Sequence, residues 1–381
     1  MLQKTTTRKF IRYKSNKRKN EFASILKKRV NQYFIDNNIS KHANGTMIFK
    51  SVLGLSSFVI LYGLIISNTF SFSYVALILA FTALGFVNIF IAMNIMHDAC
   101  HNAYSSKKKV NKWMGYTMNL IGGNSYLFTK MHNAHHAFVN IHGIDVTLES
   151  HGMFRFTPQE PFAAKHKWQH FYVSFIYAIV SLHWVTIKDF KWFFTEDSIG
   201  NVKDIEHPKK ELWILLATKA LYFTYALILP MLLLNVPIWM VILGFLMMHI
   251  PSSLFFALIF QITHIYNGTH YPIPDEEGNI ENNYFMHVLE TTADFSRSNK
   301  FWTFMMGGIN LHVVHHLFPT VCHVHYRPLT EIVIETAQEF GLEYYENPGF
   351  WNAYGKHLQL MKHLSKPDAQ VPQYGKSVAF N

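Results

Sequence analysis

Residues 72–101 read FSYVALILAFTALGFVNIFIAMNIMHDACH. Positions 72–96 carry no charge, and the run leads directly into His97 and His101. A helix needs about 20 apolar residues to cross the hydrocarbon core of a bilayer. Inside that core only helices and closed barrels satisfy their own backbone. The stretch therefore predicts a transmembrane helix that carries two imidazoles, four residues apart on one face, to the membrane surface.

On its N-terminal side, residues 47–68 form a second apolar run, interrupted by Lys50 near its start. The connector TFSFS (69–73) is short, so the two runs predict a helical hairpin. Residues 212–234 and 236–260 repeat the pattern, with the turn at Asn235 and Pro237. Pro230 and Pro251 mark kink positions, and Lys219 is a charge expected to snorkel or to face the protein interior. Residues 168–187 are apolar but contain His170 and His183, and are expected to lie at the interface or pack beneath the polar domain. The expected fold is all-α and integral to the membrane: two transmembrane hairpins, hence four spans, capped by a cytoplasmic helical domain that carries the histidine clusters.

The chain has 381 residues, half of them hydrophobic, with a formal net charge of +10. Its mean hydropathy is only +0.07 because the apolar residues are gathered into runs. That distribution assigns the basic charge to a membrane surface and gives no reason to expect a nucleic acid partner. Lys and Arg number 12 in residues 1–46, 13 in 97–211 and 7 in 261–381, with none in the short hairpin connectors. By the positive-inside rule both termini and the histidine-bearing regions are expected on the cytoplasmic side, of a bacterial inner membrane or an endoplasmic reticulum. Residues 1–46 read as a basic arm, 47–364 as the membrane domain and 365–381 as a flexible tail. Cys100 and Cys322 form no CxxC pair, which argues against a disulfide framework or a thiolate metal site.

The 23 histidines are the compositional anomaly. HDACH (97–101) is an HxxxH, while HNAHH (132–136) and HVVHH (312–316) are both HxxHH. In a helix these spacings put His132, His135 and His136 on one face, and likewise His312, His315 and His316. Eight imidazoles exceed what one metal needs and fit a two-metal centre. Imidazole suits Fe, Zn, Cu and Ni, so ligand type leaves the metal open. His264 ends the fourth run at the depth of His97 and is a ninth candidate. Asp98, Asp145, Glu149 and Asp294 lie near the clusters and are candidates to orient ligand imidazoles. His142, His151, His166, His170, His183, His249, His270, His287, His323 and His325 lack the spacing and are expected to be structural or solvated.

These residues resemble the membrane fatty acid desaturases, whose signature is three histidine boxes, HxxxH, HxxHH and [H/Q]xxHH, around two transmembrane hairpins. The likeness covers residues 47–350. HVVHH continues as LFP (317–319), and ETTADF (290–295) precedes GGINLHVVHHLFP, as in the acyl-lipid and acyl-CoA branch that includes the front-end, linoleoyl-CoA-type enzymes. Front-end members usually begin the third box with Gln where His312 stands. Many also carry a fused cytochrome b5 domain with an HPGG motif, which does not occur here.

The resemblance implies two Fe ions as cofactor, O2 as co-substrate and a fatty acyl group, lipid- or CoA-linked, as substrate. The implied reaction removes two vicinal hydrogens and leaves a cis double bond. Electrons would come from a separate donor of ferredoxin or cytochrome b5 type. The resemblance also supports His264 as a ligand. A related hydroxylase or other oxygenase is the alternative enzyme, and a histidine-rich membrane metal transporter the non-enzymatic one. Transporters place ionisable ligands near the midplane of their spans, whereas these clusters sit at span ends.

Overall fold

The computed structural model of the protein describes residues 10–150, 152–195, 198–199, 202–203 and 206–369. His151, the first nine residues and most of the expected tail lie outside the described residues. The described residues are mostly helical, with a few two-residue strand pairs as clasps.

Helices α1 Lys17–Asp36, α2 Gly45–Ile66, α3 Tyr74–Cys100, α4 Ser125–Ala137, α5 Ala164–Phe194, α6 Lys209–Leu233 and α7 Ile238–His264 come first. The third-box helix α8 His312–Leu317 and then α9 Tyr326–Glu339 follow. Several starts are set by local chemistry. The side chains of Asn16, Asn44, Ser73 and Asn124 each accept the N–H of the residue three positions on. Each satisfies a donor that the helix leaves unpaired.

Helices α2, α3, α6 and α7 match the four expected runs. Helix α5 is also long and apolar enough to cross a membrane, so five described helices meet that measure against the four expected. The extra one contains the 168–187 stretch, lengthened at both ends beyond the apolar window.

Helices α3 and α7 pack closely. A Cβ on Gly85 would sit 1.9 Å from the Met248 carbonyl oxygen, and one on Gly244 would sit 2.5 Å from the Phe81 ring. Gly85 lets the two backbones touch and Gly244 admits the Phe81 ring, a use of small residues that is common where lipid gives no hydrophobic drive to association. Leu77, Phe81, Leu84, Met240, Val241 and Met248 fill the space around the contact. The outward faces remain apolar: Val59 is 66% exposed and Leu232 73%.

The basic arm is only partly an arm. From Lys17 to Asp36 it is helix α1, which buries Phe22, Leu26 and Val30 against Leu329, Val333 and Ala337 of α9. Arg29 clamps Glu339 with two bonds of 2.8 and 2.7 Å. The i, i+4 apolar stripe within the lysines explains the difference, because the charge count hides it. Ahead of α1, Arg12–Tyr13 pairs in parallel with Asn279–Ile280. At the other end Arg155 donates to the carbonyls of Lys366 and Pro367, so the expected tail is anchored where it begins.

Candidate metal centre

Just before the first box, α3 widens into a π-turn at Ala92–Met96. Such a turn inserts one residue and rotates the helix beyond it, and here His97 is the next residue. Asn94 holds the turn by donating to the carbonyls of Phe90 and Met305. Gly307 presses against it from outside, at φ +59°, where a Cβ would lie 2.2 Å from the Met93 oxygen. The Gly-Gly ahead of the third box is thus a close-packing element of the first box.

All nine candidate ligands are buried, and the fold brings them together. His97, His101, His132 and His315 form one group, and His135, His264, His312 and His316 a second. Within each group the ligand nitrogens lie within 4.8 Å of one another. His136 joins His315 and His316 in a third set that borders both groups. Each group draws on more than one box, so neither exists without the tertiary fold.

Their hydrogen bonds test whether the groups suit cations. His264 Nδ1 faces the Thr291 carbonyl at 3.2 Å, and His312 Nδ1 faces the Ile309 carbonyl at 3.0 Å. A carbonyl only accepts, so in each neutral ring the proton is on Nδ1 and Nε2 is a bare lone pair. Those two Nε2 atoms nevertheless point at each other, 2.9 Å apart. His316 Nε2 lies 3.0 Å from His264 Nε2, and His135 Nε2 lies 3.2 Å from it. In the other group His132 Nε2 meets His97 Nε2 at 3.0 Å. His101 Nε2 and His315 Nε2 are buried with no hydrogen-bond partner among the described residues. Converging buried lone pairs repel unless a cation lies among them. Burial, reinforced by neighbouring imidazoles, holds the pKa values of His101, His132, His136, His312, His315 and His316 well below the ordinary histidine value. Those rings are therefore neutral at neutral pH, and this donor set fits two imidazole-ligated metal ions.

The four acids have four different surroundings. Asp145 accepts from His135 Nδ1 at 2.9 and 3.1 Å and from the backbone N–H groups of Asn140 and Thr147. Burial alone would raise its pKa, but His135 and those N–H groups outweigh it and hold it below the ordinary value. Asp145 thus orients the ring of His135, a candidate ligand. Asp294 touches no imidazole ring of the clusters. It accepts the Val313 N–H at 2.9 Å and the Tyr344 hydroxyl at 2.5 Å, pinning the backbone of α8, and burial pushes its pKa up to about 7. Asp98 faces away from the ligands and accepts from His323 Nδ1 at 2.9 Å. Glu149 is exposed, on the wall of a cavity beside the histidines.

Asp98 leads to residues that the spacing of the boxes does not reveal. His323 Nε2 lies 2.7 Å from Lys50 Nζ, the charge that interrupts the first apolar run. Lys50, His323 and Asp98 form a buried chain that ties α2 to the first box and to the loop after the third. Asp98, Cys322 and His323 are close enough to hold a metal, but the Lys50 ammonium meets the His323 ring there. A charged residue inside an apolar run was the available signal.

The cavity has a volume of about 370 Å³, in the range of small-molecule sites. His132, His135 and His264 form part of its wall, and Phe128, Trp184, Phe256 and Phe260 supply apolar surface. It runs between α4, α5 and α7, and can hold an apolar chain against the ligand histidines.

Comparison with known proteins agrees with this arrangement. The fatty acid desaturase family model matches residues 72–348. The chain is 31% identical to the sn-1 linoleoyl-lipid 6-desaturase of Synechocystis, over 91% of this chain and 96% of that protein. It is 31% identical to an acyl-lipid (8-3)-desaturase of Physcomitrium patens, over 90% of this chain and 71% of that one. It is 28% identical to a probable Delta(5) fatty acid desaturase of Dictyostelium discoideum, over 93% and 78% respectively. With its three boxes folded into paired histidine clusters beside an apolar cavity, the chain belongs to the fatty acid desaturase family.

Proposed function

We propose that the protein is an O2-dependent di-iron desaturase that introduces a cis double bond into a long acyl chain carried by a membrane lipid. The observation that carries this reading is the pair of four-histidine groups forming part of the wall of an apolar cavity. The names of the relatives specify lipid-linked acyl groups, which supports that substrate class.

Two irons held by these histidines would supply, with O2 and two electrons, the oxidising power that side chains lack. The remaining work belongs to the chain's own residues. His97, His101, His132 and His315 would hold one ion, and His135, His264, His312 and His316 the other, with His136 between them. Asp145 fixes the His135 ring, and Asp294 fixes the start of the third box. Phe128, Trp184, Phe256 and Phe260 exclude water and hold two adjacent methylenes beside the ligands, so positioning is their share of catalysis. Electrons come from a separate carrier.

In the membrane, α2, α3, α6 and α7 make four crossings, with the histidine layer and both termini cytoplasmic. The distribution of Lys and Arg supports this orientation. Helix α5 lies against the cytoplasmic layer. Gln169 near its start donates to the Met361 carbonyl at 2.8 Å, and Trp184 further along stacks on Phe128 of α4.

The test is expression in a host that lacks polyunsaturated lipids, fed an isotope-labelled acyl substrate. The expected product is a new double bond, with about two irons per purified chain. His135→Ala should abolish turnover and lower iron content. An inserted oxygen atom as sole product would move the assignment to a hydroxylase. Full iron and activity in His135→Ala would refute the site.

A further inference from the structure

Two lysines, Lys188 and Lys191, line the cavity outside the histidine clusters, and Lys188 is the one seated on two rings. Lys188 of α5 lines the same cavity as His132, His135 and His264. Its ammonium is 4.4 Å from the ring centre of Trp184 and 4.3 Å from that of Trp192, and both indoles also line the cavity. The charge of the adjacent acid, Asp189, favours the ammonium, but its oxygens bond to other donors. One oxygen of Asp189 accepts the Trp184 indole N–H at 2.9 Å, and the other pairs with Lys219 at 2.7 Å. Lys219 also donates to the Gly122 carbonyl at 2.6 Å. Among the described residues no carboxylate pairs with Lys188, and Glu149 is the only acid on the cavity wall.

An ammonium in an apolar cavity calls for negative charge or strong acceptors. Two indole faces stabilise it in part and hold it in place. They offer no oxygen to its three N–H donors. The hydrocarbon of an acyl chain offers none either, but the head of the acyl carrier does. The position also bears on the reaction. Trp184 stacks on Phe128 at 5.9 Å, and Phe128 stacks on the ligand His132 at 5.0 Å. Three consecutive contacts therefore join the ammonium to the metal centre.

We propose that Lys188, held between Trp184 and Trp192, binds the phosphate at the head of the acyl substrate and so sets how many carbons separate the head from the histidines. This inference rests on the reading that the cavity holds the acyl chain. The phosphate has two possible sources, a phospholipid or coenzyme A.

The experiment uses the purified full-length protein in a phosphate-free detergent. Three probes are titrated: a linoleoyl phospholipid, linoleoyl-CoA and a phosphate-free linoleoyl glycolipid. Lys188→Met should weaken binding of a phosphate-bearing probe at least about tenfold and leave the glycolipid unchanged. Lys188→Arg should stay within about twofold of the parent, since it keeps the charge. Bound iron and the melting temperature should not move in either variant. An effect on the phospholipid alone assigns the phosphate to a lipid, and an effect on CoA alone assigns it to the thioester carrier. The product of Lys188→Met should also carry its double bond at mixed positions. Unchanged binding of both phosphate probes, or equal loss for the glycolipid, overturns the proposal. Should Lys188→Met fail to fold, Lys188→Gln is read in the same way.

Discussion

At the scale of single residues, the candidate metal centre depends on groups outside its nine histidines. Asp145 is the acid that meets a ligand ring, through His135 Nδ1. Asp145→Ala removes that acceptor and lets the ring turn, so metal affinity should fall by about 10–100-fold while the helices stay folded. Metal titration of the purified variant, with circular dichroism as control, checks both halves. His323 acts differently. His323→Leu leaves Asp98 and Lys50 buried without their common partner, so the loss should be in stability, about 3–5 kcal/mol, measured as a lower unfolding midpoint. The candidate ligands could be picked out because i, i+3 and i+4 spacing is local and survives any tertiary arrangement. The Lys50–His323–Asp98 chain was not, because His323 lies 225 positions from Asp98 and 273 from Lys50. Asp294 was legible as a nearby acid, but its spacing could not say that it binds the backbone of the third box instead of an imidazole.

At the scale of elements, the departures from a simple sequence reading come from packing that no local pattern encodes. The apolar run of α3 reads as one uninterrupted helix, yet the π-turn at Ala92–Met96 changes the phase of everything after it. Gly307 holds that turn from a segment more than two hundred residues away. Gly307→Ala adds a methyl at positive φ against the Met93 oxygen, so backbone strain and overpacking act together. The expected cost is about 1–3 kcal/mol, together with lower iron occupancy, since the turn aims His97. Melting temperature and iron stoichiometry, measured on one preparation, check the coupling. An unchanged iron content at a lowered melting temperature would separate the turn from the box. Helix α1 makes the complementary case. Its charge suggested an arm, but its stripe of Phe22, Leu26 and Val30 is core. Leu26→Ala should therefore cost about 2–5 kcal/mol, far beyond what a solvated arm would show.

At the scale of the whole molecule, the positions of the boxes constrain how the chain threads the bilayer. His97 stands near the end of α3 and His264 at the end of α7. The two belong to groups that adjoin through α4, where His132 meets His97 and His135 meets His264. Two ends that share one layer must be joined by an even number of crossings. In the proposed arrangement α6 and α7 provide two, so a crossing by α5 would make the number odd and put His264 on the wrong face. Length and apolarity alone qualify α5 as a span. Parity argues that it lies along the interface, where Trp, Lys and a long apolar face are at home. Both native cysteines are buried, so single introduced cysteines report cleanly to a membrane-impermeant thiol reagent. Phe72 is 83% exposed, between α2 and α3, and Phe72→Cys should react in intact cells. Trp168 and Lys209, near the start of α5 and at the start of α6, are both exposed. Trp168→Cys and Lys209→Cys should react only after the membrane is opened, and to the same extent. Reaction of Lys209→Cys from outside, with Trp168→Cys protected, would make α5 a span and break the parity on which the four-crossing arrangement rests.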